Sequence, residues 1–183
     1  VPKLRDTLTM MKLLRSLGKN VELDKGVLTV TSRGESHYVA DYKLVSTMRG
    51  SFCVLGPLMA KLKRAKISLP GGCVIGIRPV DLHIKGLEAL GTKFEFDAGY
   101  VIGAANKLKG DHVYLGGSFG SSVLATDNVM MAATLAEGVT IIESAACEPE
   151  IVDLANFLNA MGARITGAGS PTITISGVSE LHG

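Results

Sequence analysis

The sequence has no tryptophan, only 5% aromatic residues and no apolar run near the roughly 18 residues that a membrane-spanning helix needs. A membrane protein of the helical kind is therefore not expected. Lysine and arginine number 19 against 17 acids, a net charge of +2. No basic block stands beside stacking aromatics, so the electrostatic footprint of a nucleic-acid binder is missing. The three cysteines show no paired spacing, which argues against a disulfide framework and for a reducing, cytoplasmic setting. No basic-apolar-small leader pattern is seen, and export is not expected. The chain opens Val1-Pro2 without an initiator methionine, so a fragment or a processed product is expected.

What the sequence has instead is small and apolar. Hydrophobic residues make up 46% and glycines number 22, with a mean hydropathy of +0.30. At 183 residues the chain can form one substantial core or two small ones. Within it one pattern recurs three times: LRSLG ending at Gly18, LEALG ending at Gly91 and LNAMG ending at Gly162. The glycines are 73 and 71 residues apart. Each closes a helical pattern where a left-handed C-cap belongs, and Val21, Phe94 and Ile165 each stand three residues further on. A second glycine (Gly26, Gly99, Gly169) follows at 8, 8 and 7 residues, ahead of the β-rich stretches LTV, YVI and PTITIS. Each helix thus feeds a hairpin.

Between the hairpins, residues 42–63 and 123–137 read as helices that are small and apolar almost all round, and each leads into a strand (KISL, VTIIES). Such helices belong inside a core. Pro2-x-x-x-Asp6 matches Pro149-x-x-x-Asp153, and Pro79-x-Asp81 is a shorter version. The first unit has no strand and buried helix ahead of its proline. The pattern predicts an α/β (α+β) fold, an inside-out prism of three βαβαββ-like repeats around a pseudo-three-fold axis, with the first repeat truncated. By the period the units are about 1–66, 67–139 and 140–183. An ordinary doubly wound α/β domain is the alternative.

Four features are candidates for chemistry. The run LPGGCVIGIRPVD, residues 69–81, presents Cys73 and Arg78 five residues apart on a glycine-rich loop. A nearby cation lowers a thiol's pKa and makes it reactive, whereas a free cysteine elsewhere is commonly a small buried hydrophobe. Arg49 is the one charge in residues 44–60. It must meet an anionic ligand, an internal carboxylate or solvent at a helix end, because an unpaired buried charge is prohibitively costly. The stretch GGSFGSSVLAT, residues 116–126, enters the second buried helix. It either cradles an anion on backbone N–H groups or merely caps the helix, and it is no Walker loop. Asp81 has repeat partners in Asp6 and Asp153, which suits the role of an acid complementing a helix dipole. Cys53 and Cys147 read as structural, the four histidines form no cluster, and no metal-ligand spacing is present.

The run SLPGGCVIGIRPVDLHIKGLEALG (68–91), with TMRG (47–50) and MAATLAEGVTIIESAACEPEIVDLANFLNAMGARITG (131–167), closely resembles the UDP-N-acetylglucosamine 1-carboxyvinyltransferase family of enolpyruvyl transferases, over essentially the whole chain. The cysteine loop is the specific part, since the related shikimate-pathway transferases share the fold without that thiol. The resemblance implies a two-domain enzyme, each domain such a prism, with the active site in the cleft between. Residues 1–183 would be most of the inserted domain, inactive alone. A Lys-Asn pair would precede it, and the other domain, with an aspartate base, would follow.

The implied reaction transfers the enolpyruvyl group of phosphoenolpyruvate to the 3-hydroxyl of UDP-N-acetylglucosamine. It opens peptidoglycan synthesis, and so serves cell-wall growth, shape and division, with no cofactor and no metal. Cys73 would be the loop thiol that acts as general acid or in product release, and the target of fosfomycin. Arg78 would engage phosphate, and Pro79, Val80, Asp81 and Leu82 would line the uridine site. Arg49 would lie in the substrate pocket, and Gly120, Ser121, Ser122 and Val123 at the diphosphate. Here family members often read KVSVGAT against GSSVLAT in this chain, so their lysine has no counterpart and backbone donors are the candidates to replace it. A stand-alone nucleotide-sugar-binding module is the alternative reading.

Overall fold

The computed structural model describes residues 1–32, 34–70, 80–118 and 120–183. Three helix-to-hairpin units are present, as the period predicts. Helices α1 (Arg5–Ser16), α4 (Asp81–Ala89) and α6 (Pro149–Ala160) are each followed by the expected glycine at positive φ: Gly18 at 84°, Gly91 at 97° and Gly162 at 100°. That conformation costs glycine little and satisfies the last carbonyls of the helix. Hairpins β1 (Lys19–Asp24) with β2 (Val27–Ser32), β5 (Lys93–Asp97) with β6 (Tyr100–Ala104), and β9 (Arg164–Thr166) with β10 (Thr172–Ser176) come next. The first two turn on Lys25-Gly26 and Ala98-Gly99, with positive φ at both central residues, the twist that two-residue hairpins favour.

The remaining strands are β3 (Val39–Ala40), β4 (Arg64–Ser68), β7 (His112–Tyr114) and β8 (Val139–Glu143), and the last long helix is α5 (Val123–Ala133). They complete two four-stranded sheets of one design. In the order β3-β4-β6-β5 the first pair is parallel and the rest antiparallel; β7-β8-β10-β9 repeats this. Each sheet is therefore one βαβαββ unit. The period sets the spacing of the units but not where one begins, and hydrogen bonding frames them as 39–104 and 112–176 where a count from the glycines divides the chain at 66 and 139. Among the described residues the first unit comprises α1 and the pair β1-β2. On it Leu4, Leu8, Val27 and Val30 are exposed, beside a groove of about 320 Å³ lined by Met10, Met11, Leu14, Leu28 and Met48.

The first buried helical segment is broken where a continuous helix over 42–63 is expected. It divides into α2 (Tyr42–Val45), a 3-10 helix (Arg49–Val54) and α3 (Leu55–Leu62). The Thr47 hydroxyl bonds back to the Leu44 carbonyl at 2.8 Å, Met48 is extended and Gly50 follows, a set of residues poor at carrying a helix onward. Helix α5 ends at Ala133, short of Glu137, with the Thr134 hydroxyl on the Met131 carbonyl. It is the centre of the molecule. Ala125, Thr126, Asn128, Val129, Met130, Ala132 and Ala133 are buried, and α5 packs against α3, α4, α6 and the 3-10 helix. The sheets lie outside, burying alternate residues such as Ile142, Ile173 and Ile175.

Close helix approach depends on glycine. A Cβ on Gly56 would run into the Asn128 carbonyl, and one on Gly86 into the Val129 side chain. Overpacking at a site walled by backbone has little room to relax. Gly56→Ala is expected to cost about 2 kcal/mol, a fall of roughly 4–8 °C in Tm; an unchanged melting temperature would show that α3 and α5 separate freely.

Candidate functional site

The candidate residues that the structure describes come from three places. Asp81 and Leu82 open α4, with Val80 just ahead; Gly120, Ser121 and Ser122 lead into α5, which Val123 begins; and Arg49 begins the 3-10 helix. Gly117 and Gly120 exchange backbone hydrogen bonds of 3.1 and 3.0 Å, folding the glycine-serine segment into a tight turn. A Cβ on Gly117 would stand 3.2 Å from Leu82 Cδ1, so the first turn of α4 abuts that turn directly. Ser122 is the N-cap of α5 and accepts from the Ala125 N–H at 3.3 Å. Gly120, Ser121 and Asp81 are exposed, and Val80, Leu82, Ser122 and Val123 half-buried. Two helix starts thus lie side by side, the second with a serine cap and with N–H groups of its first turn oriented along the positive end of the dipole. Cys73, Arg78 and Pro79 lie outside the described residues.

Arg49 heads the 3-10 helix and is half-buried. An element's end is among the settings the sequence left open for it, and the break at residues 46–48 interrupts the expected helix just ahead of it. Its charge is felt in the core below: after burial it holds the His83 imidazole down, and it partly offsets the rise that burial and Asp127 impose on the Cys53 thiol.

Beneath these segments lies a polar centre that the sequence does not announce. The fully buried Asn128 side chain accepts through Oδ1 from the Gly56 N–H at 2.6 Å. Its Nδ2 donates to the Phe52 carbonyl at 3.1 Å and to His83 Nδ1 at 2.8 Å. Because an amide nitrogen only donates, Nδ1 must be the unprotonated acceptor and the His83 hydrogen sits on Nε2. The His83 ring meets Phe52 edge-on, centroids 5.1 Å apart. Burial, and then the Arg49 charge, pushes His83 down to about 3, so the ring is neutral at physiological pH. His83 and Asn128 are 45 residues apart and lie on different helices. The available signal was the interruption of small apolar residues in α5 by an Asp-Asn pair.

Asp127, the other member, is pushed from an ordinary 3.8 to about 6 by burial and then by the Glu150 charge. Its Oδ1 is enclosed with no hydrogen-bond partner. Cys53 is half-buried and raised to about 12, by burial first and Asp127 second. Cys147, read from sequence as structural, is exposed. Among the described residues no group of three His, Cys, Asp or Glu could hold a metal ion, and no helix is long and apolar enough to cross a membrane.

The family model for EPSP synthase (3-phosphoshikimate 1-carboxyvinyltransferase) matches residues 1–183. The chain is 52% identical over 183 residues to a UDP-N-acetylglucosamine 1-carboxyvinyltransferase of Methylacidiphilum infernorum. It is 55% identical to UDP-N-acetylglucosamine 1-carboxyvinyltransferase 2 of Carboxydothermus hydrogenoformans. Both matches take in 100% of this chain but 43% of the relative, so the chain spans less than half the length of these curated relatives. In fold it is similar to the enolpyruvyl transferase NikO from Streptomyces tendae, with a TM-score of 0.81 at 20% identity over 99% of this chain and 43% of that one. EPSP synthase from Acinetobacter baumannii gives 0.73 at 21% identity over 97% and 40%.

Two outcomes follow from the electrostatics. A carboxyl whose pKa is raised on folding favours the folded state while protonated, and that stability is lost as pH rises through about 6. Asp127→Asn should therefore raise Tm at pH 8 and leave it nearly unchanged at pH 4; an equal or opposite effect at the two values would contradict the assignment. The thiolate is the nucleophile, so at pH 8 iodoacetamide should label Cys147 and spare Cys53 in the folded protein, as read by peptide mass mapping.

Proposed function

The chain belongs to the EPSP synthase family of enolpyruvyl transferases, and from that premise we propose that it is the part of a cytoplasmic UDP-N-acetylglucosamine 1-carboxyvinyltransferase that binds the nucleotide sugar and carries the reactive thiol. The observation that carries this reading is 52–55% identity along the whole chain with enzymes of that name, against 20–21% with the other transferases of the fold. In support of it, Leu82, in the segment proposed for the uridine, packs against Gly117, three residues ahead of the segment proposed for the diphosphate.

In this reading the sugar 3-hydroxyl gives up its proton to a base as its oxygen bonds to C2 of phosphoenolpyruvate, and an acid adds a proton to the C3 methylene, giving a tetrahedral intermediate. Loss of phosphate from C2 and of a proton from C3 restores the vinyl group on the sugar. Cys73 supplies an acid for such proton traffic. Arg78 and Arg49 offset the charge of phosphate and carboxylate, the largest contribution in transfers of this type. The Ser122 cap and the first N–H groups of α5 serve the diphosphate where family members often have a lysine. The chemistry needs no cofactor and no metal, and its product is a peptidoglycan precursor. A stand-alone binding module is the weaker reading, because relatives with this sequence are more than twice as long.

The full-length protein should release phosphate from phosphoenolpyruvate only when UDP-N-acetylglucosamine is present, and fosfomycin should stop it by one adduct on Cys73. An adduct on Cys53 or Cys147 instead would overturn the site assignment. Residues 1–183 alone should show no turnover.

A further inference from the structure

We propose that Asn128 and His83 are positioning residues, a buried amide-imidazole pair that fixes the two helix starts and Arg49 in register for the nucleotide sugar. This rests on the proposed function, because it assigns those three segments to the substrate. Neither residue reaches the surface: Asn128 is 0% and His83 1% exposed. Each of the three bonds of the Asn128 amide ends on a different element. The Phe52 carbonyl lies three residues along the 3-10 helix that Arg49 begins. The Gly56 N–H lies in the first turn of α3. His83 Nδ1 lies one residue past Leu82 in the first turn of α4. Asn128 itself is six residues past its cap Ser122 on α5. One side chain therefore sets the mutual placement of every described segment assigned to the substrate.

The pair is specified by chemistry and not by shape alone. Both Nδ2 hydrogens and the carbonyl oxygen are used, so the amide cannot flip without facing donor to donor at Gly56. The imidazole must be neutral with Nδ1 bare, since a protonated Nδ1 would confront an amide hydrogen. An apolar side chain of similar volume would fill the space and leave Gly56 N–H, Phe52 C=O and His83 Nδ1 without their partner, so the elements would shift to find others. A catalytic site tolerates little such movement, given that sub-ångström placement decides binding and rate.

The test uses the full-length enzyme with Asn128→Asp, which keeps the acceptor for Gly56 but loses both donors, and with His83→Phe, which keeps the ring against Phe52 but loses the acceptor. Thermal melting checks that each folds. KM for UDP-N-acetylglucosamine should rise about tenfold in Asn128→Asp and about threefold in His83→Phe, a larger change than in KM for phosphoenolpyruvate in either variant. In the wild type, the imidazole ¹⁵N shifts of His83 should report a neutral ring protonated at Nε2 at pH 7, a readout that does not require either variant to fold. Folded variants with an unchanged nucleotide-sugar KM, or a His83 protonated at Nδ1, would overturn the positioning role alone. A wild-type enzyme that releases no phosphate from phosphoenolpyruvate would overturn the functional reading, and this proposal with it.

Discussion

The Asn128 amide is the point on which the interior turns. A helix buried on all sides has no water to satisfy a polar side chain, so a polar group there must find every partner within the protein. Asn128 does so with three bonds to three elements. The approach that makes the Gly56 bond possible depends on the absence of a Cβ at that position. Removing the amide would strand three groups at about 1–3 kcal/mol each, a large part of the 5–15 kcal/mol by which a domain is typically stable. The neutral state of His83 belongs to the same constraint, because burial and Arg49 both oppose its charge.

From that centre outward the architecture divides its work. The four-stranded sheets bury one face and leave the other to water, where Arg64 lies 4.1 Å over the Tyr38 ring and Lys66 5.0 Å from that of Tyr100. They close the prism and carry none of the candidate residues. Those among the described residues lie at helix starts instead, and this follows from the fold: a buried helix must enter from an edge of the prism, and its N-terminal N–H groups are left at that edge without intrahelical partners. The packing of Leu82 on Gly117 joins two such entrances into one surface.

Much of this was legible in the sequence because it is local. A helix that ends in glycine and feeds a hairpin writes its signature within about 25 residues, and at Gly18, Gly91 and Gly162 the positive φ values match the reading. The small and almost wholly apolar character of α5 likewise told its burial. Three things were hidden. The strands β3 and β7 have two and three residues, too few for a period, so the frame of the units could not be set. The break that brings Arg49 to an element's end depends on weak side-chain-to-backbone competition at Thr47 and not on a strong breaker. The pairing of His83 with Asn128 is a long-range contact between residues on different helices, and no spacing rule connects them. Cys73 and Arg78 were singled out by the sequence as a thiol and a guanidinium five residues apart on a glycine-rich loop, and they lie outside the described residues.

The most direct test of the joined site is backbone hydrogen–deuterium exchange on the full-length protein with and without UDP-N-acetylglucosamine. The expected result is slower exchange at the first turns of α4 and α5, at the start of the 3-10 helix and at Gly117 and Gly120, with the outer strands β5 and β9 unaffected. Unchanged exchange at both helix starts in the presence of bound nucleotide sugar would contradict the placement of the site.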